Sequence, residues 1–259
     1  TLPPDTETPT PSETPVDTET PTPSETPLPT ETPTSTATNT PVPQASSTAE
    51  SASFSPGYRN PRDYLGNPTW TDLMTDGLNW NLDTDSYTAV TFEDDIMRLT
   101  GFSEAFGWRM APAPPIGNAY IDMTVKTESC SKRDTYGLFF RSPELTNADQ
   151  GYLFGITCGG EYLLLEWDGK AGENGHMTTL IPWTKTGHIR TGSSQENRVG
   201  VMLVDNRIIL YVNGISLAEI SDNTYPGGYF GVLIASKQSD LFTIRVDDIN
   251  YWLDAVPRK

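Results

Sequence analysis

Short runs in which hydrophobic and polar residues alternate make up most of the chain from about residue 54 onward. Residues 119–127 place apolar side chains at every second position, and residues 242–247 do the same nearer the C-terminus. A period of two puts alternate side chains on one face of a β-strand. We find no convincing amphipathic helix of ten or more residues. The pattern therefore predicts an all-β domain.

Turn residues separate at least ten predicted strands. The Asn213-Gly214 pair between two of them is the strongest hairpin signal in the chain, and Glu93-Asp94-Asp95 and Asp205-Asn206 also read as turns. Strands that follow one another through tight turns, with no intervening helices, favour a sandwich or jelly roll. The predicted strands are Tyr87–Phe92, Ile96–Thr100, Ala119–Thr127, Tyr136–Arg141, Gly151–Thr157, Tyr162–Trp167, Arg198–Val204, Arg207–Val212, Ile215–Ile220, Gly228–Ser236 and Phe242–Trp252.

Residues 1–53 have a different composition, rich in Thr, Pro and Glu. The unit DTETPTPSETP runs from Asp5 to Pro15 and recurs from Asp17 to Pro27. The repeat has too few apolar residues to form a core, so it cannot offset its conformational entropy by burial. We therefore predict a disordered stalk or linker over residues 1–53, able to extend on the order of 150 Å at ~3.1 Å per residue, and a folded domain over residues 54–259.

Charge and composition exclude some classes of partner. The net charge is −17, and the first basic residue is Arg59. An acidic chain repels nucleic-acid backbones and anionic membranes, so we expect neither as a partner. The sequence has neither a signal peptide nor an apolar run of the ~20 residues that span a bilayer. Thr/Pro-rich spacers are typical of exported proteins. We therefore expect a mature or truncated product, extracellular or at the cell surface, with any signal or membrane anchor outside this segment.

The strand sequences resemble those of a known family. The segments that carry the likeness are YGLFFR (136–141), YLFGITC (152–158), EWDG (166–169), NRVGVML (197–203), RIILYVNG (207–214), YFGVLIA (229–235) and VDDINYW (246–252). They resemble the concanavalin A-like lectin/glucanase, or laminin G-like, jelly-roll domain of bacterial exported proteins, over roughly residues 68–252. The resemblance implies an antiparallel two-sheet β-sandwich. It leaves the activity open, because such folds carry binding, adhesion and hydrolysis alike.

The resemblance also bears on the two cysteines, Cys130 and Cys158. From the residues alone they are either free thiols or one disulfide, depending on the compartment. Members of the family usually carry cysteines at these two positions, which implies a structural disulfide between them.

No catalytic centre is evident in the sequence. Glucanases of this family carry Glu-x-Asp-x-x-Glu on one strand, so that the carboxylates share a face. That motif is absent, and its nearest approach is Glu166-Trp167-Asp168, where Asp168 reads as a turn residue. His176 and His188 lie in a polar stretch between predicted strands and do not make a zinc site. The acids of residues 93–95 are either a solvated turn or contributors to a calcium site. We predict no catalytic residues and no metal ligands, with calcium the one cofactor to consider.

Aromatic and charged residues suggest a binding surface instead. Proteins bind sugars by stacking aromatic rings on pyranose faces and orienting them with a few polar groups. Hydrophobic capping of a sandwich end is the alternative for each tryptophan. Period two places Arg141 on the face of its strand that carries Gly137 and Phe139, and the resemblance implies that this is the concave face. An ion pair with Glu166 or Glu161 is the alternative for Arg141. The candidate ligand-binding residues are Trp108, Arg109, Arg141, Tyr152, Glu166, Trp167 and Trp183.

Together these features predict a non-catalytic recognition module with a carbohydrate or cell-surface glycan as partner. One alternative is a structural or protein-adhesion domain, which a flat and fully packed surface would favour. A second is a divergent glycoside hydrolase, which requires two carboxylates facing each other across a cleft.

Overall fold

A computed structural model describes residues 55–259, so the predicted stalk of residues 1–53 lies outside the described residues. This part of the chain contains a short 3-10 helix at Pro61–Asp63 and otherwise only strands as regular structure. No helix in it is long and apolar enough to cross a membrane. The strands are β1 (Trp70–Asp72), β2 (Thr88–Glu93), β3 (Ile96–Gly101), β4 (Gly107–Met110), β5 (Ala119–Thr127), β6 (Thr135–Ser142), β7 (Gln150–Thr157), β8 (Glu161–Asp168), β9 (His176–Lys185), β10 (Glu196–Val204), β11 (Arg207–Val212), β12 (Ile215–Ser221), β13 (Tyr229–Ala235) and β14 (Phe242–Leu253).

The strands form two antiparallel sheets. Sheet A has the order β12-β11-β10-β5-β14-β3-β2, with β1 also paired to β14, and sheet B has the order β4-β13-β6-β7-β8-β9. Apolar side chains from the facing sides of both sheets, such as Val201 and Ile249 of sheet A and Phe154 and Val232 of sheet B, form one continuous buried core. The prediction of an all-β, two-sheet sandwich is confirmed.

The turns that the sequence predicts hold the hairpins in register. Asn213 and Gly214 both adopt positive φ, 52° and 82°, between the register partners Val212 and Ile215. Two consecutive residues at positive φ match the right-handed twist of the flanking strands. The hairpin between β2 and β3 closes in the same way, because Asp94 and Asp95 have φ of 53° and 57°.

Three strands lack a clear signal in the sequence: β1, β4 and β9. The segment His176–Lys185 reads as a polar connection because it contains Pro182 and few consecutive apolar residues, yet it forms β9. β9 lies at the edge of sheet B and has two register irregularities against β8. Proline is tolerated at a sheet edge or a bulge, where no ladder hydrogen bond is lost. His176 and Trp183 are therefore strand residues, contrary to the expectation.

Residues 55–66 cross the outer face of sheet A, and we call them the strap. The strap packs with Tyr58 and Leu65 against a second buried cluster that includes Tyr211 and Trp252. Arg62 donates two hydrogen bonds to the fully buried carboxylate of Asp122, from Nε at 2.8 Å and from Nη2 at 2.7 Å. The strap thus covers the side of the sandwich that faces away from sheet B.

The C-terminal residues meet the strap on the same face. The backbone N–H of Arg59 donates to the carbonyl oxygen of Arg258 at 2.7 Å. The guanidinium of Arg258 lies 4.7 Å from the ring centroid of Tyr64, and the ammonium of Lys259 lies 5.6 Å from that of Tyr58. We call this set of contacts the terminal clasp.

The predicted disulfide joins Cys130 and Cys158, whose Cα atoms are 6.4 Å apart. It links the segment between β5 and β6 to the turn that follows β7.

Candidate binding groove

The outer face of sheet B is apolar, whereas the exposed face of an antiparallel sheet is commonly polar. Alternate residues of its strands point away from sheet A and form a third hydrophobic cluster, which contains Phe139, Leu153, Leu163, Leu165 and Leu233. Partly exposed side chains of larger residues lie around this cluster. An apolar outer face with an aromatic border is a feature of interaction sites.

Two adjoining cavities lie on this face. The larger has a volume of about 840 Å³ and the smaller about 610 Å³, which is the size range of ligand sites. Both are lined by Phe106, Leu165, Met177 and Lys237, so they form one continuous depression that we call the outer groove.

The three predicted tryptophans all line this groove. Trp108 and Trp167 border the smaller cavity, and Trp183 borders the larger one. Trp108 stacks on Phe139 with ring centroids 4.6 Å apart, and its Nε1 donates to the carbonyl oxygen of Ala148 at 2.8 Å. Its ring is therefore held in a fixed orientation. Trp108 therefore does two things: one face of its ring packs on the sheet, and the residue also borders the cavity.

Trp167 and Trp183 differ in how much of the ring is free. The backbone of Gly175 lies against Trp167 so closely that an added Cβ would be 2.1 Å from its ring. Gly175 is therefore required beside a half-buried Trp167. Trp183 is 39% exposed on the edge strand β9 and is the most accessible of the three.

Charged side chains border the larger cavity. Glu104 and Glu161 supply carboxylates, and Arg133 and Lys237 supply cations. The groove thus combines an apolar floor with a charged rim, an arrangement that can hold an amphipathic ligand by its apolar face and orient it by its polar groups.

Arg109 does not reach the groove. Trp108 and Arg109 are neighbours on β4, so their side chains point to opposite faces, and Arg109 is only 4% exposed. Its Nη1 donates to Asp85 Oδ2 at 2.7 Å, and its Nη2 donates to the carbonyl oxygens of Asp83 and Thr88 at 2.6 and 3.0 Å. These contacts fix the segment before β2 to sheet B. Arg109 therefore lines neither cavity of the outer groove, although with Trp108 it borders a further cavity of about 660 Å³, and its role as a ligand-binding residue stays a prediction.

Arg141 lies inside the sandwich and not on its outer face. The register between β6 and β13 shifts beside it, and Arg141 has a φ of 55°, so the period-two pattern of β6 is interrupted at this residue. A β-bulge of this kind redirects a side chain. Arg141 is 1% exposed and its Nη2 donates to the carbonyl oxygen of Asp205. Among the described residues Arg141 forms no salt bridge with Glu161 or Glu166, so the alternative prediction of an ion pair with one of these glutamates is also wrong.

Tyr152 and Glu166 also lie away from the groove, in what we call the end cluster, next to Arg141. Tyr152 is buried, donates its hydroxyl hydrogen bond to Asp222, and accepts one from the N–H of Tyr225 at 3.2 Å. Burial, with the hydrogen bond to Asp222, raises the pKa of Tyr152. Burial alone would raise the pKa of Asp222, but its hydrogen bonds from Tyr152 and Thr224 lower it. Glu166, in register with Tyr152, accepts from Thr224 at 3.3 Å.

The acids that the sequence singled out at residues 93–95 and 168 lie in or beside turns. Asp168 is the last residue of β8, and its carboxylate accepts from the backbone N–H of Lys170 at 3.1 Å in the turn that follows. Within residues 55–259, no three or more His, Cys, Asp or Glu side chains are arranged to hold a metal ion. The acids of residues 93–95 therefore form no such group with one another.

Sequence reasoning missed several groove residues. Phe106, Met177 and Lys237 line both cavities, and Arg133 and Glu104 complete the rim. Met177 lies on β9, whose alternation is obscured by its irregularities. Phe106, Arg133 and Lys237 lie just before or after strands, where side-chain direction does not follow a period of two. Only a fold-based placement of these segments could have found them.

Comparisons with known proteins support the fold. No family model matches the chain, and no curated protein matches it. Among solved structures, the carbohydrate binding module CBM66 from Bacillus subtilis has a TM-score of 0.50 at 16% identity, over 67% of this chain and 94% of that one. A structure described under "Prominent members of the human gut microbiota express endo-acting O-glycanases to initiate mucin breakdown" has a TM-score of 0.51 at 11% identity, over 72% and 99%.

At these identities the likeness shows a common fold. The described domain is a concanavalin A-like jelly-roll sandwich, as the resemblance in the sequence implies.

Proposed function

We propose that this protein is a non-catalytic recognition module that binds a carbohydrate in the outer groove and is displayed outside the cell on its Thr/Pro-rich stalk. One observation carries the proposal: three tryptophans line a single depression whose floor is leucine and phenylalanine. Hydrophobic capping would account for each ring alone. It does not account for an open groove of this size between them.

The chemistry of a sugar ring fits this surface. A pyranose has one face rich in C–H groups, which stacks on an aromatic ring, and hydroxyl groups at its edge, which need polar partners. Trp183 offers an accessible ring, and the rim of the larger cavity offers carboxylates and cations within the same depression. A module with this fold that binds carbohydrate exists in the structure described as a carbohydrate binding module, which supports the proposal.

The non-catalytic part rests on the position of the two acids in the segment that approaches a glucanase motif; Glu104 and Glu161, which border the larger cavity, come from two separate segments of the chain. Glu166 and Asp168, the closest approach to a glucanase motif, hydrogen-bond to Thr224 and Gln150. They belong to the end of the sandwich and not to the lining of either cavity of the groove.

A glycan array with the full chain, disulfide intact, tests the proposal in calcium and in chelator. We expect saturable binding that Trp183→Ala weakens at least tenfold, which corresponds to about 1.4 kcal/mol. Leu253→Ala is the matched control, because Leu253 is similarly exposed, at 45%, on β14 of the opposite sheet. Trp108 is less suitable, since its loss would also uncover Phe139.

Two results would count against the proposal. Absence of binding to every glycan, from a sample that melts cooperatively, would favour the structural or adhesion reading. Release of reducing sugar ends that is abolished by Glu161→Gln or Glu104→Gln would contradict the non-catalytic part and favour a hydrolase.

A further inference from the structure

Two cations meet at the rim of the larger cavity because of how two loops are joined. Arg133 lies just before β6 and Lys237 just after β13, and these strands pair with Thr135 opposite Ala235. The loops that carry the two cations are therefore neighbours at the same end of sheet B.

Asp134 fixes these loops to each other. Its carboxylate is fully buried and accepts from the N–H of Ser131 at 2.7 Å, from Gln238 at 2.9 Å and from Ser239 at 3.1 Å. The hydroxyl of Ser239 is a fourth donor. The negative charge of Asp134 is thus satisfied by amide and hydroxyl groups inside the loops. It holds Arg133 and Lys237 in place without pairing with either of them.

Neither cation has a carboxylate partner among the described residues. No acidic oxygen lies within 4.0 Å of Arg133 or Lys237, although seven other charged pairs meet that limit. The ammonium of Lys237 lies 4.5 Å from the ring centroid of Phe106. Burial lowers the pKa of Lys237. The charge of Glu104 raises this pKa, and the charge of Arg133 lowers it further. A half-buried ammonium without a counter-ion, beside a second cation, is a site prepared for an anion.

The two acids of the same cavity do not cancel this preference. Glu161 is opposite Lys185 in the register of β8 and β9, so a third cation lies on the neighbouring strand, although these two side chains form no salt bridge with each other. Glu104 is a single exposed carboxylate against two cations. The net charge of −17 acts at longer range, and charges beyond about 8 Å are screened at physiological ionic strength. The local cations therefore decide which ligands are favoured.

From this geometry we infer that the outer groove selects anionic sugars, namely pyranoses that carry a carboxylate or a sulfate group. The ring lies against Trp183 and Met177, and the anionic group lies between Lys237 and Arg133. This inference rests on the proposed function, since it names the chemical class of ligand for the same groove.

The experiment measures binding of the full chain to neutral glycans and to their uronate-bearing and sulfate-bearing counterparts. Polygalacturonate and its methyl ester form one matched pair, and dextran sulfate and dextran form another. We expect at least one anionic member to bind tenfold or more tightly than its neutral counterpart. The pair that shows the difference distinguishes a carboxylate ligand from a sulfate ligand.

Variants assign the difference to the two cations. Lys237→Gln and Arg133→Gln should each reduce the preference for the anionic member at least tenfold, and Lys237→Arg, which keeps the charge, should retain most of it. Lys132→Gln is the matched control, because Lys132 is the exposed neighbour of Arg133 and does not line the groove.

The possible failures are distinguishable. Equal binding of anionic and neutral members, or a preference that survives both glutamine variants, overturns the inference and leaves the proposed function standing. Absence of binding to any glycan overturns both.

Discussion

Asp134 offers a sharp test of how the groove is built, because one carboxylate joins the two loops at its rim. We consider its replacement by asparagine, which has the same size. One oxygen of Asp134 accepts from Gln238 and Ser239, and the other accepts from Ser131 and the Ser239 hydroxyl. Asparagine keeps one oxygen, but it places an NH₂ donor where the second oxygen was. That donor then faces the N–H of Ser131.

The magnitude follows from these contacts. One hydrogen bond to a charged group, worth about 1.5–3 kcal/mol, is lost at Ser131. The hydrogen bonds from the N–H groups of Gln238 and Ser239 remain, but they now end on a neutral oxygen and are about half as strong. We expect the free energy of unfolding to fall by about 3 kcal/mol. For a domain of this size, about 2–4 °C per kcal/mol lowers the Tm by roughly 6–12 °C.

Differential scanning calorimetry of the full chain with its disulfide intact measures this effect. Asp240→Asn is the control, since Asp240 is an exposed acid of the same loop and its loss should change stability by less than about 0.5 kcal/mol. A Tm for Asp134→Asn within about 2 °C of that control would refute the reasoning that Asp134 holds the loops together.

Other predictions concern parts of the domain outside the groove. Replacing Cys130 and Cys158 by serine should cost about 3.6 kcal/mol for the separation of 28 residues, and a melting curve unchanged by reduction would contradict this. Arg62→Ala leaves a buried carboxylate without its main partner and should cost about 3 kcal/mol, while glycan affinity stays within twofold because the strap covers the opposite face. Burial raises the pKa of Tyr120 well above its usual value and that of Tyr225 to about 12. The folded state therefore keeps these protons to a higher pH than the unfolded chain does. The contribution of these tyrosines to stability should be constant below about pH 10 and fall as pH rises from there towards 12, and denaturant titrations that show no loss over that alkaline range would contradict the assignment.

The sandwich could be predicted from sequence because its information is local. Asn213-Gly214 specifies a hairpin by itself, since both residues tolerate positive φ, and the alternation along residues 119–127 identifies one buried face without reference to any partner strand. The cysteine pairing followed from resemblance and not from spacing. The hairpin turn and the strand alternation can be recognised in one sequence because neighbouring residues determine them.

The candidate site could be predicted only in part. The three tryptophans were found because large aromatics are few and stand out in any context. Arg141 was misplaced because a bulge that depends on the register of β6 against β13 reverses the direction of one side chain. Lys237 and Arg133 were missed because their meeting depends on a pairing between strands about one hundred residues apart in sequence. Contacts of that range are set by the fold and leave no pattern in either segment.

The terminal clasp has a mechanical consequence. Ser55 and Lys259 lie on the same side of the sandwich, and the backbone hydrogen bond between Arg59 and Arg258 joins the strap to residues 258–259. Tension applied between the two ends would load this short set of contacts before it reached any strand of sheet B. The clasp and the strap would therefore open first, while the outer groove, on the opposite side of the sandwich, kept its shape.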